Sequence, residues 1–167
     1  MASTAEIIRN NKTKMNNAER ITEFLEIILP LGFDTRIESD NAIYMKPVGN
    51  YEKGIRVWVD QENYPIYTIN GKKYYREVFF DFIWDDERHG TESMNSDMIL
   101  AITAEYMKKY PDALFQYEWY SNESPFFDKY DIETIISQPF QPNWYYFFRS
   151  HLNVKSSDKY HDNWILE

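Results

Sequence analysis

The dipeptide Asn70-Gly71 stands between two ring-rich runs, YPIYTI (Tyr64 to Ile69) and KKYYREVFFDFIWD (Lys72 to Asp85). A tight two-residue hairpin needs positive φ at both central positions, and Asn-Gly supplies them at least cost. Two antiparallel strands are therefore expected here, and they constrain what the rest of the chain can build. FDTRIES, NAIYMKPV and GIRVWVDQ precede them, separated by turn-forming residues at Ser39–Asn41 and Gly49–Asn50. The reading is a meander of about five antiparallel strands.

Helical periodicity brackets this meander. Ile21, Phe24, Leu25, Ile28 and Leu29 form an apolar stripe, with Asn16 or Asn17 as cap and Pro30 and Gly32 as stop. A second helix is expected over Ser93–Tyr110, with Ser96 and Asp97 where a cap and a first-turn acid belong. Met98, Ile99, Ile102 and Tyr106 would line one face, Lys108 and Lys109 would sit in the last turn, and Pro111 would end it. DALFQYEWY reads as a further strand, DIETIIS (Asp131 to Ser137) as a short helix capped by Asp131, and PFQPNWYYFF as an edge strand. The expected class is α+β, with an antiparallel sheet and helices packed on one face. Residues 1–16 read as a polar arm with a turn of helix, 17–152 as the single domain, and 153–167 as a tail.

Alternation along the long strand divides its residues. Tyr74, Arg76, Val78, Phe80, Phe82 and Trp84 would lie under the helices. Tyr75, Glu77, Phe79, Asp81, Ile83 and Asp85 would lie on the other face. GIRVWVD sends Ile55, Val57 and Val59 inward and leaves Arg56, Trp58 and Asp60 outward, and Tyr44 and Lys46 join the outward set. Arg56, Trp58, Glu77, Phe79 and Asp81 are thus the candidate partner-binding residues, because rings among charges are what interface hot spots are made of. The same residues also describe a solvated face laced with ion pairs, each worth roughly a few tenths of a kcal/mol.

Composition narrows the function. The chain of 167 residues has no cysteine, which removes disulfides, thiol nucleophiles and thiolate metal sites. Its formal net charge of −9 opposes nucleic acid and anionic membranes and favours a basic protein partner. No bilayer-length apolar run and no signal peptide are visible, so a cytoplasmic location is expected. Asp85, Asp86, Glu87 and His89 form an acidic cluster that, with Asp81, would serve a metal-dependent hydrolase. Adjacent strand-end residues cannot all converge on one ion, and no metal, nucleotide or nucleophile motif accompanies them, so no cofactor, metal or catalytic residue is assigned. The aromatic density from Phe115 to Phe148 leaves a small-ligand or carbohydrate-binding alternative open.

From DMILAITAEYMKKYPDALFQYEWY through YDIETIISQPFQPNWYYFF, the layout resembles small acidic bacterial immunity proteins of toxin systems. The shared features are a helix ending in Tyr-Pro-Asp, a strand, and a short Asp-capped helix before an aromatic end. The resemblance implies a non-enzymatic protein that neutralises a basic toxin domain. It carries over no site residue.

Overall fold

The computed structural model describes residues 2–47, 54–59, 65–84, 92–118, 125–139 and 150–152. Eight strands and three helices follow in chain order: β1 (Ala2–Arg9), α1 (Asn17–Ile28), β2 (Asp34–Ile37), β3 (Ala42–Lys46), β4 (Ile55–Trp58), β5 (Tyr67–Ile69), β6 (Lys72–Trp84), α2 (Glu92–Lys109), β7 (Leu114–Glu118), β8 (Phe126–Phe127) and α3 (Lys129–Ser137). The sheet is antiparallel, in the order β2-β3-β4-β6-β1-β7-β8, with β5 paired to β6 off this path. The class is the α+β expected, with eight strands where about five were read.

All three helices contribute to one core. Ile21, Phe24 and Ile28 of α1, Met98, Ile99, Ile102 and Met107 of α2, and Ile132 and Ile135 of α3 pack with Ala5, Ile7, Ile43, Met45, Val57, Val78, Phe80 and Phe115 from the sheet. Burial of these apolar side chains, at roughly 1.5–3 kcal/mol each, is the main force holding the layers together. The first helix starts where its sequence indicated: Asn16 accepts the Glu19 N–H at 2.9 Å. Leu29 leaves the stripe, because Leu29–Leu31 tightens into a 3₁₀ turn and exposes it. The second helix begins at Glu92, so Ser96, expected as a cap, and Asp97, expected as a first-turn acid, lie inside it. In α3 the cap is Asp128. Asp131, expected there, is the third residue of the helix and returns the bond, forming a capping box.

The largest departure is at the N-terminus. Residues read as an arm with a turn of helix form β1, which lies between β6 and β7. Ala5, Glu6, Ile7 and Ile8 are all fully buried. A strand buried on both faces shows no alternation, and Ala and Glu have little strand preference, so the pattern was hidden. No helix among the described residues is long and apolar enough to cross a membrane.

Two devices shape the face away from the helices. Asn70 and Gly71 adopt φ of 51° and 76°, as a tight hairpin requires. The pairing of β1 with β6 then slips by one residue: Ile7 faces Val78, but Ile8 faces Arg76. Glu77 is the extra residue of a β-bulge. A bulge reverses the alternation on one side of it. Tyr74 and Arg76, expected beneath the helices, therefore sit on the far face, and Glu77 turns toward the helices.

Candidate partner-binding face

The far face has two halves. In the first, β5 bends back over β1, β7 and β8, and Tyr67, Ile69, Tyr74, Ile8, Leu114 and Phe126 form a second core with Leu152 packed at its margin. Tyr67 meets Phe126 edge-on at 5.0 Å between ring centres. Its hydroxyl donates to the buried Glu6 carboxylate and lies 3.0 Å from the Gln116 side-chain oxygen. This half is sealed.

The second half carries four of the five residues singled out from the sequence. Trp58 lies opposite Phe79, and Arg56 opposite Asp81, across the β4–β6 pair. Tyr44 lies opposite Arg56 across β3–β4. Tyr44, Arg56, Trp58, Phe79 and Asp81 are all partly exposed, while Val57 and Phe80 beneath them are fully buried. Each ring carries a guanidinium: Arg36 is 5.3 Å from the Tyr44 centre, Arg56 is 5.9 Å from Trp58, and Arg76 is 4.7 Å from Phe79. Glu38 grips Arg56 through both oxygens, at 3.3 Å each. Gly54 fixes Tyr44 by close approach. Its N–H donates to the Tyr44 hydroxyl at 3.0 Å, and a Cβ there would stand 2.3 Å from the Met45 carbonyl oxygen. Arg76 joins the two halves, because it stacks on Phe79 and its Nε lies 2.7 Å from Glu6 Oε2.

Glu77 is the correction. The bulge places it beneath α1, where it is 2% exposed. Arg20, 6% exposed, reaches both its carboxylate and its carbonyl oxygen at 2.8 Å. Arg9, Glu23, Tyr106 and Tyr110 complete a polar cluster around a cavity of about 10 Å³, the size of one water and too small for a substrate. Tyr110 donates to Glu23 at 2.6 Å. Burial, then that bond, pushes its hydroxyl up to about 12, and burial pushes Tyr106 well up too. Both hydroxyls stay protonated near neutrality, and that of Tyr110 is the donor to Glu23. The cluster is structural.

One titratable group was missed by sequence reasoning. Asp128, Asp131 and His151 bring donor atoms within 4.8 Å of one another. Asp131 already accepts the Asp128 N–H at 2.9 Å, the Ser150 hydroxyl at 3.2 Å, the His151 N–H at 3.1 Å and the His151 ring nitrogen. Its carboxylate is engaged in the capping box of α3 and also ties down residues 150–152. Burial alone would raise the Asp131 carboxyl, but these bonds hold it below the usual carboxylate range. The bond to Asp131 holds the His151 imidazole above its ordinary value, against a smaller opposing effect of burial. Only the Asp-x-x-Asp spacing at the helix start signalled any of this; His151 lies 20 residues away.

Of the other candidates, Asp81 faces Arg56, while Asp85, Asp86, Glu87 and His89 lie outside the described residues. Phe115, Tyr117, Phe126 and Phe127 are sealed in the cores. Tyr130, on α3, is 61% exposed, while Trp119, Tyr120, Phe140 and Trp144 to Phe148, the edge strand expected there and the tail 153–167 lie outside the described residues. Compared with protein-family models, with curated proteins and with solved structures, the chain finds no match in any of the three.

Proposed function

We propose that this protein is a non-enzymatic binding module, and that it acts as an immunity protein on a basic toxin domain in the cytoplasm. The observation that carries the reading is the row of Tyr44, Trp58 and Phe79 across three adjacent strands, each ring partly exposed and stacked on an arginine. Tyr, Trp and Arg dominate interface hot spots because they offer large contact area with little conformational freedom to lose. Here the sheet already fixes the rings and Glu38 already fixes Arg56. The net charge of −9 would speed encounter with a basic partner. The layout of the last third of the chain supports the immunity class specifically.

The test is titration against the product of the adjacent gene. Trp58→Ala should weaken binding by at least about tenfold, as truncation of a central ring does. Raising the salt should slow association. Binding that is indifferent to both salt and Trp58 would overturn the reading.

A further inference from the structure

We propose that the outer edge of β2 pairs with the same edge of a second copy of this chain, antiparallel, about a two-fold axis through Thr35. Among the described residues β2 ends the sheet, and Asp34, Thr35, Arg36 and Ile37 are all exposed. Ile37 is 58% exposed, and Leu29, in the turn just upstream, is 77% exposed. Such an edge is a template for another strand.

Backbone direction restricts the pairing. The Glu38 N–H bonds the Ala42 carbonyl at 2.9 Å, so residue 38 turns its backbone groups toward β3. By the alternation of an antiparallel pair, Asp34 and Arg36 do the same, and Phe33, Thr35 and Ile37 turn theirs outward. A two-fold axis that lets outward groups meet outward groups must pass through a residue and not between two.

Charge and the length of the strand together select among the remaining registers. Centring on Asp34 sets Asp34 against Asp34. Centring on Arg36 sets Arg36 against Arg36 and Asp34 against Glu38. Centring on Ile37 runs Thr35 against Ser39, in the bend that ends the strand. Centring on Thr35 sets Asp34 against Arg36 twice, Thr35 against itself, and Phe33 against Ile37 twice. Phe-Asp-Thr-Arg-Ile is thus complementary to itself when reversed. Opposite charges, hydroxyl pairs and aromatic–β-branched pairs are each favourable directly across strands, and like charges are unfavourable. Arg36 lies opposite Tyr44 and against its ring, which puts the charged pairs on the face away from the helices.

Sedimentation of the full chain over a range of concentrations reads this out. The wild type should form a reversible dimer. Asp34→Arg alone and Arg36→Asp alone should each weaken dimerisation by at least about tenfold, because both symmetric pairs turn repulsive. An equimolar mixture of these two variants should dimerise again, since each then meets opposite charge in the other. Thr35→Pro removes an outward N–H that β3 does not use, and should abolish the dimer while circular dichroism stays unchanged. A wild type that remains a monomer throughout would leave the edge to some other strand and overturn the proposal. So would a dimer insensitive to these substitutions, or a mixture of the two charge variants that stays monomeric.

Discussion

The two halves of the far face share one sheet and one long strand yet end in different states. On the half beneath β5, Ile8, Leu114 and Phe126 are at most 5% exposed and the polar groups are paired with one another. On the half made by β3, β4 and the end of β6, the rings stay partly open and are stacked on arginines. The division lies at Glu77. The bulge there delivers Tyr74 and Arg76 to the far face and withdraws Tyr75 and Glu77 from it. Tyr74 then joins the sealed core, and Arg76 bridges to the open half. One inserted residue therefore decides which side chains are buried and which are displayed.

The strongest way to break this arrangement is to release the bulge. Arg20 holds Glu77 by side chain and by backbone, both beneath α1. Glu77→Ala would leave a buried guanidinium without its counter-charge, and a loss of about 3–5 kcal/mol is expected in urea unfolding. Arg20→Met combined with Glu77→Leu removes both charges, and should recover most of that loss. A small effect of the single substitution would mean that the bulge is set by the sheet itself.

A smaller effect tests the sealed half. Tyr67→Phe deletes the hydroxyl that bonds the buried Glu6 carboxylate, and should cost about 1.5–3 kcal/mol. Trp58→Ala, on the open half, should cost less stability than this while costing more in partner binding. Equal stability losses at the two positions would erase the distinction between the halves.

How far the sequence could carry this is visible residue by residue. Asn70-Gly71 announced its hairpin, and the stripe of α1 announced its helix, because both signals are local. The inward set Ile55, Val57, Val78 and Phe80 was legible through period two, as were Arg56, Trp58, Phe79 and Asp81 on the opposite face. Glu77 was not. A bulge is a relation between two strands, and it depends on how Ile7 and Ile8 register against β6. The partner strand itself was unread, because Ala5 to Ile8 are buried on both faces. The Asp131–His151 pair joins segments that adjoin only after folding.

That pair offers the finest test of the sealed half, because it anchors Leu152 beside the second core. His151 is more than half exposed and meets Tyr130 edge-on at 4.5 Å, with Ser150 and the carboxylates of Asp131 and Asp128 on its other sides. Its folded pKa is raised above the ordinary 6.5, so its contribution is complete below that value and fades as pH rises through the raised one. Asp131 is lowered from 3.8, so its contribution is complete above that value and fades as pH falls through the lowered one. The tie should therefore be strongest between about 4 and about 6.5. An NMR titration should find His151 above its ordinary value in the wild type and back near it in Asp131→Asn. The same variant should flatten the alkaline loss of stability, whereas Asp128→Asn, which keeps the His151 partner, should leave most of it. A His151 titration unmoved by Asp131→Asn would detach residues 150–152 from the helix cap, and the sealed half would then be held by its apolar contacts alone.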